Sequence, residues 1–278
     1  MEPGNDGHLL VVDDLTDDEL DYYDHNPQVR RQRNPMLLDR AVPALLTEIE
    51  HSLDLVEPLA SYLPRPLLEV MVETAQDRRI PVELSESVVM FVKLEGFDTN
   101  LEGVDSESVH ERMQVFSSMF ARLDAAAAAR GGMLRRVTYQ ATGSDVLVCF
   151  GVLNAHTDDP ERAASMALAV SDLVAAAVAE AGPAFDTTIS YRVGMSLGPV
   201  FAGEMGVHLG RREFNVVGDP VNVAARLAAK AEPGSVLVSP SVAARLGEGF
   251  VVRAKGQMAL RGKSEPMEII ELQGAAGS

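Results

Sequence analysis

The chain has no tryptophan, a single cysteine and few aromatic residues, which make up 5% of its 278 residues. Because Cys149 has no second cysteine to pair with, no disulfide framework exists and an oxidising compartment is not required. Its apolar surroundings, "DVLVCFG", predict a buried strand residue and not a reactive thiol. The hydrophobic fraction of 46% and charged fraction of 23% are typical of a globular protein.

Long hydrophobic runs are also missing. No stretch approaches the roughly 20 apolar residues that cross a bilayer, and the first residues, "MEPGNDGHLL", lack the basic start and apolar stretch of a signal peptide. We therefore expect a cytoplasmic protein without membrane insertion.

Basic residues are scarce. The 24 lysines and arginines face 41 aspartates and glutamates, which gives a net charge of −17. Such a surface repels phosphate backbones on average, so we expect no nucleic-acid partner. The sequence shows no phosphate loop of the P-loop type and no specific Ser-His-Asp arrangement.

Composition divides the chain into four regions. Residues 1–34 are polar and acidic and predict a disordered tail. Residues 35–81 carry apolar residues at three- and four-residue spacing, which predicts a helical N-terminal extension. Residues 82–273 form the main folded domain, and residues 274–278 a short flexible tail.

The helical extension contains several prolines. We expect Pro58, and then Pro64 and Pro66, to interrupt its helices. The extension either regulates the domain that follows or is a simple packing extension.

The main domain begins with the order strand, helix, strand, strand, helix, strand. This is the split βαβ arrangement of ferredoxin-like folds, so we predict an α+β protein with helices on one face of a sheet. After the second helix we expect two separate strands, "TTISYRVGMSLG" and "PVFAGEMG", then a helix at "PVNVAARLAAKA" and further strands to the end.

An ordered set of motifs carries a family signal. "FNVVGDPVNVAARL", followed by "AEPGSVLVSP" and preceded by "YRVGMSLGPVFAGEMG", resembles the signature of class III nucleotidyl cyclases, the adenylate and guanylate cyclase family. "GSDVLVCFG" and "FVKLEGF" resemble the family's two metal-binding segments. The resemblance implies the cyclase fold and a head-to-tail dimer with the active site at its interface. It also implies a reaction in which the ribose 3′-hydroxyl attacks the α-phosphate and expels pyrophosphate.

The first metal position is changed. In "FVKLEGF" the place of the family's metal-binding aspartate is taken by Lys93, whose ammonium group has no lone pair for a divalent cation. An ammonium can replace the charge of an ion, but it cannot activate a hydroxyl as a metal does.

The second metal position is changed as well. Counting back six residues from Phe150 gives Ser144 at this position, one residue before Asp145. Since strand side chains alternate between faces, we expect Asp145 to point away from the site. The alternative is a rebuilt metal site made from Glu95 and Asp145.

The other half of the implied machinery is present. Asn222 and Arg226 match the family's transition-state pair, and their i, i+4 spacing sets both on one helix face. The resemblance implies that the asparagine positions the ribose and the arginine stabilises charge on the α-phosphate.

The implied nucleotide-binding positions are altered or unspecific. Gln140 and Asn215 occupy the base-recognition positions, and both are neutral amides that donate and accept, so base identity is open. In "LRGKSEP", Lys263 or Arg261 is the candidate for the family's phosphate-binding lysine.

Three functions remain open. The chain is a degenerate cyclase-homology domain, inactive alone, that acts as a dimerising, nucleotide-binding or regulatory module. Alternatively, it is a subunit of a heterodimeric nucleotidyl cyclase, supplying Asn222 and Arg226 while a partner supplies the metal site. A third, weaker alternative is a homodimeric cyclase with an unusual metal site.

The three alternatives imply the same partners. We expect a homodimer, or a heterodimer with another cyclase domain, and a purine nucleotide as ligand. We expect no metal cofactor, except Mg²⁺ or Mn²⁺ where a partner domain supplies the ligands.

Overall fold

A computed structural model describes residues 2–3, 9–10, 42–75, 80–96, 106–140, 143–181, 185, 188–206, 212–259 and 266–277. By its internal contacts the chain divides into two compact units. The first comprises Met1–Tyr62 with Gly206–Arg211, and the second Leu63–Met205 with Arg212–Ser278.

The first unit contains a short strand pair and one long helix. The two-residue strands β1 (Glu2–Pro3) and β2 (Leu9–Leu10) pair antiparallel, within the region predicted as a tail. Helix α1 (Val42–Ala60) runs through Pro58, so the predicted interruption at this residue is wrong. Pro58 lies in the last turn of α1, where its missing N–H removes only one bond before the helix ends.

The second unit holds a sheet and the remaining helices. Its elements in chain order are α2 (Arg65–Glu73), β3 (Glu83–Glu95), α3 (Ser106–Ala128), β4 (Gly132–Gln140), β5 (Gly143–Phe150), α4 (Asp159–Ala181), β6 (Ser190–Gly206), β7 (Arg212–Val217), α5 (Asp219–Lys230), β8 (Val236–Val238), α6 (Pro240–Ala243), β9 (Phe250–Met258) and β10 (Met267–Ala275). Helix α2 starts directly after Pro64 with Pro66 in its first turn, as the predicted break requires.

The sheet has eight strands in the order β4-β5-β3-β6-β8-β10-β9, with β7 paired to β6. Strands β3 to β6 and helices α3 and α4 form the βαββαβ unit, in which β3 lies between β5 and β6 and pairs antiparallel with both. Strand β6 pairs in parallel with β8, from Val193 to Met195. The predicted α+β, ferredoxin-like arrangement is confirmed.

Helices cover both faces of this sheet. The two helices of the βαββαβ unit, α3 and α4, share one face as predicted, where they pack against alternate residues of β3. Helix α5 lies outside that unit and packs on the opposite face, with α2 contributing Leu67 to the apolar cluster there. The buried residues of the larger cluster include Val88, Met90, Val92, Met119, Leu123, Met166, Val170 and Phe150.

Strand β6 differs from the prediction. The two expected strands form one continuous strand of 17 residues, Ser190–Gly206. Pro199 does not break it, and the pairing with β3 continues through this residue, which lies opposite Glu86. The long strand pairs with β3 from Ser190 to Ala202.

Helix α4 is long and apolar enough, by length and composition, to cross a membrane, the one such helix among the described residues. Its apolar side is nevertheless used within the fold. Ala163, Met166, Val170 and Val174 are buried in the cluster shared with β3 and α3, which is the packing of a core helix.

Gly194 on β6 sets how closely α5 approaches the sheet. A Cβ at this residue would lie 2.2 Å from the carbonyl oxygen of Ala224 and 2.2 Å from the amide nitrogen of Ala228, both in the α5 backbone. We expect Gly194→Ala to destabilise the protein by about 1–3 kcal/mol, since α5 must shift outward. Urea unfolding followed by circular dichroism measures this. Gly249→Ala is the matched control, because no atom lies within 4 Å of a Cβ there, and a similar loss in both variants would contradict the packing argument.

Candidate functional site

Four charged residues meet where β3, β5 and β6 run side by side. Lys93 and Glu95 lie two residues apart on β3 and therefore share a face, while Asp145 on β5 and Arg192 on β6 are the two cross-strand partners of Lys93. We call these four residues the charge cluster. It brings together Lys93, which was expected at the site, with Glu95 and Asp145, which the sequence suggested only as an alternative.

The charge cluster is held by ion pairs. Arg192 Nη2 lies 3.0 Å from Glu95 Oε2, and Lys93 Nζ lies 4.0 Å from Glu95 Oε1. All three side chains are half-buried, so these pairs are screened less than surface pairs. Two cations and two carboxylates give the cluster no net formal charge.

The surroundings of Asp145 shift the pKa of its carboxyl group. Burial raises the pKa of its carboxyl above the ordinary value, the nearby Lys93 opposes that rise, and Glu95 adds to it. The positive charge of Lys93 thus offsets part of the rise that burial causes in the pKa of Asp145.

The register corrects the expectation for Ser144 and Asp145. Ser144 pairs with Leu94 and is only 2% exposed, so it faces the helix-covered core. Asp145 faces the same side as Lys93. The prediction that Asp145 would point away is therefore wrong, because Asp145 is the direct cross-strand partner of Lys93 and such partners share a face of the sheet.

The residues present do not fit a divalent metal. Among the described residues no group of three or more His, Cys, Asp or Glu side chains could hold one. At the charge cluster, the two carboxylates already face two cationic side chains, and an added cation would be repelled by both. No reaction step through a metal follows from this chain alone.

Helix α5 presents the other implied pair. It starts after Gly218 with Pro220 in the first turn and buries Val223 and Leu227. Asn222 is exposed and Arg226 half-buried, one turn apart on the other side of the helix. Neither makes a hydrogen bond or ion pair with any residue that the structure describes.

The charge cluster and α5 lie on the same face of the sheet. Arg192 and Gly194 are two residues apart on β6 and point the same way, and Gly194 faces the α5 backbone. Helix α5 packs through its apolar side, and Asn222 and Arg226 lie on the other side of the helix.

The implied nucleotide-binding residues are only partly described. Asn215 is half-buried on β7, where its own Oδ1 accepts a hydrogen bond from the Val216 amide at 3.1 Å. Gln140 ends β4, with its backbone opposite Gly143. Arg261 and Lys263 lie outside the described residues, and so does the side chain of Gln140.

Arg135 is a residue that sequence reasoning missed. It sits at an irregularity in the β4–β5 pairing, and its side chain is only 11% exposed. Its guanidinium lies 5.7 Å from the centre of the Phe214 ring, and its Nη2 lies 3.7 Å from Glu213 Oε1. The signal was the doublet "RR" in "MLRRVTY", since two adjacent strand residues point to opposite faces and one arginine must turn inward.

Arg135 positions the strand that carries Asn215. Burial lowers the pKa of its guanidinium, and Glu213 on β7 partly offsets this. Arg136 Nη2 also contacts Glu213 Oε1, at 3.3 Å. Arg135 and Arg136, both on β4, therefore hold β7 through the carboxylate of Glu213.

Comparison with known proteins shows which family has this arrangement of strands and helices. The family model of the adenylate and guanylate cyclase catalytic domain matches residues 81–273. The chain belongs to this family. The cyclase domain thus includes the whole sheet, the charge cluster and the α5 pair.

Relatives named adenylate cyclase and relatives named guanylate cyclase both match this chain. An adenylate cyclase of Mycobacterium tuberculosis is 29% identical over 228 residues, covering 82% of this chain and 48% of that protein. Soluble guanylate cyclase 89Db of Drosophila melanogaster is 26% identical over 232 residues, covering 78% of this chain and 32% of that protein. The chain spans about half the length of the mycobacterial relative and about a third of the length of the Drosophila relative.

Solved structures share the cyclase fold. The adenylyl cyclase CyaB of P. aeruginosa aligns with a TM-score of 0.61 at 22% identity, over 69% of this chain and 96% of that one. A bacterial light-regulated adenylyl cyclase aligns with a TM-score of 0.64 at 19% identity, over 87% of this chain and 66% of that one. At these identities the likeness establishes the fold.

Lys93→Asp tests whether the charge cluster excludes metals. The substitution sets a third carboxylate beside Glu95 and Asp145 with only Arg192 to balance them, so we expect a loss of about 1–3 kcal/mol in metal-free buffer. Mn²⁺ should then raise the melting temperature of the variant but not of the wild type, since an ion that binds only the folded state stabilises it. Thermal unfolding with and without Mn²⁺ measures both effects.

Lys93→Met is the matched control for this experiment. It removes the ammonium without adding a carboxylate, so it should lose stability without gaining a response to Mn²⁺. Equal stabilisation of the wild type and Lys93→Asp by Mn²⁺ would show that the native cluster accepts a metal.

Proposed function

We propose that this chain is a degenerate adenylate/guanylate cyclase-homology domain, inactive alone, that acts as a dimerising, nucleotide-binding or regulatory signalling module. In this role it works in the cytoplasm, without a resident metal, and binds a purine nucleotide or a second cyclase domain.

The charge cluster carries the proposal. Lys93 occupies the position of the family's first metal-binding aspartate and lies beside Glu95 and Asp145. Charge that develops on a phosphate during cyclisation needs preorganised positive groups, and a nucleophilic hydroxyl needs activation. A lysine supplies positive charge, but it supplies no metal-bound hydroxyl, so binding is retained more easily than turnover.

A second candidate function rests on α5. Asn222 and Arg226 are present and make no bond with the described part of their own chain. In a heterodimer they would face the metal site of a partner domain that has both aspartates. This chain would then be the non-metal half of an adenylate or guanylate cyclase, and relatives with both names favour neither nucleotide.

The purified chain should form no cyclic nucleotide by itself. A homodimer has two equivalent interfaces, and both present Lys93 instead of a metal ligand. With ATP or GTP and Mn²⁺, we expect product formation at the level of a no-protein blank, measured by chromatography of cyclic AMP and cyclic GMP. Robust synthesis of either product would overturn the proposal.

Reconstitution of the site is a companion test. Because Ser144 faces the core, Ser144→Asp would bury a charge, so Lys93→Asp is made first with Asp145 retained. Activity in this variant shows that the rest of the site is intact. Its absence, in a folded protein, points to base recognition or dimer geometry as a second defect.

The heterodimer alternative predicts stimulation of a partner. Mixed with a cyclase domain that has both metal aspartates but lacks the asparagine–arginine pair, this chain should raise activity, because it supplies the missing donors. Asn222→Ala or Arg226→Ala should reduce the stimulated rate by about 100-fold, the usual loss for one transition-state donor.

Arg245→Ala is the matched control for Arg226→Ala. Arg245 is an exposed arginine near α6, and its only described ion pair is a long surface contact with Glu86 at 3.6 Å. It should leave the stimulated rate unchanged. Equal losses in both arginine variants, or no complex by co-purification, would count against a heterodimeric enzyme.

A further inference from the structure

A cavity of about 790 Å³ lies at the end of β5 that is remote from the charge cluster. Helix α2 forms one wall, the C-terminal end of α3 a second, and the segment that joins β5 to α4 a third. Cys149 in its floor is four residues from Asp145, which is about 13 Å along the strand. The described residues that line the cavity include neither the charge cluster nor the pair on α5, so the cavity is separate from the site described above.

The floor of the cavity is apolar. Met133 on β4 and Cys149 on β5 are cross-strand partners and are only 5% and 1% exposed. Pro66 on α2, Ala128 on α3 and Val152 after β5 extend this apolar lining. The volume lies within the range of small-molecule sites, roughly 300–1,000 Å³, which are mostly apolar with a few polar groups. The floor therefore suits the apolar body of a small organic molecule.

The segment between β5 and α4 brings unused hydrogen-bond donors to the cavity. The backbone amides of residues 152–155, all of which line it, donate to no group in the described part of the chain. Val152 is only 7% exposed, so its amide is largely shielded from water. A shielded N–H without an acceptor is costly, and a ligand oxygen beside it removes that cost.

Arg65 on α2 adds further donors. Its Nε donates to Glu69 Oε1 at 3.3 Å, one turn along the helix, while its Nη1 and Nη2 have no partner among the described residues. Both side chains line the cavity and are exposed, so they lie at its mouth. The guanidinium group presents parallel N–H groups that match the oxygens of a carboxylate or a phosphate.

The acidic residues near the cavity already have donors. Asp159, which is 5% exposed, lies beside the lining residue His156. Its Oδ2 accepts a hydrogen bond from the His156 amide at 2.8 Å, and its Oδ1 lies 3.4 Å from Nδ1 of the same residue. Glu69 is paired with Arg65. Within the described structure, the unengaged polar groups at the cavity are thus mainly donors, which favours a ligand with acceptor oxygens over a cationic one.

From this distribution of groups, we propose that the cavity binds a small organic anion, an apolar ring or short chain that carries one carboxylate or phosphate group. The apolar body contacts Met133 and Cys149. The anionic oxygens accept hydrogen bonds from the amides of residues 152–155 and from Arg65. Binding does not depend on cyclase activity, because the cavity lies apart from the charge cluster and from α5.

Isothermal titration calorimetry on the full-length chain tests the class of ligand. The probes are naphthoate, naphthyl phosphate and naphthylmethylammonium, which share one ring system and differ in their charged group. We expect at least one anion to bind with a dissociation constant at least about tenfold below that of the cation, and the tighter anion identifies the preferred group. Equal affinities for the anions and the cation, or no saturable binding of either anion at millimolar concentration, would overturn the proposal.

A tryptophan in the cavity wall tests where the anion binds. Ala129 lines the cavity just after α3 and is exposed, so Ala129→Trp fills part of the volume without disturbing the core. Ala125→Trp is the matched control, because Ala125 is exposed one turn earlier on α3 and is not among the described lining residues. We expect Ala129→Trp to weaken anion binding about tenfold or more and Ala125→Trp to leave it unchanged. Equal affinities in the two variants would place the anion elsewhere and overturn the assignment to this cavity.

Removal of the arginine charge gives a second, independent readout. Arg65→Gln removes the charge-assisted donors, so we expect anion binding to weaken about threefold to tenfold while binding of the cation does not weaken. Arg253→Gln, at an exposed position on β9, is the matched control and should change neither affinity. Because Arg65 is also exposed, both variants should fold, which circular dichroism verifies. The same anion affinity in the two arginine variants would overturn the proposed contact with Arg65.

Discussion

The strict alternation of side chains along β3 is the constraint on which the rest of the molecule depends. This strand lies between β5 and β6 and pairs with both over most of its length. Alternate residues from Val88 to Leu94 are buried under α3 and α4, which fixes the register because a slip of one residue would turn Lys93 and Glu95 into that apolar core. The same register sends Lys93 and Glu95 to the opposite face, where they meet Asp145 and Arg192.

That geometry changes the meaning of the two altered metal positions. By motif spacing, Lys93 and Ser144 are equivalent losses. In the structure only Lys93 faces the site, while Ser144 belongs to the core and Asp145 takes the facing position. Lys93 is thus part of a balanced set of ion pairs that stabilises the sheet end without an ion.

Helix α5 carries Asn222 and Arg226 on the side away from its buried residues. Helix α5 is held tightly through Gly194 and leaves Asn222 and Arg226 unengaged within the described structure. In the proposed heterodimer, Asn222 and Arg226 would face the metal site of the partner domain.

The sequence by itself determined the α+β fold, the helices and strands, and the identity of Lys93, Asn222 and Arg226 at their motif positions. These follow from local periodicity and spacing, which depend on near neighbours along the chain. Only the tertiary structure decided that β6 is one strand, that Asp145 and not Ser144 faces Lys93, and that Arg135 turns inward toward Glu213. Each of these depends on how one strand registers against another, and that register is set by burial of residues distant in the chain.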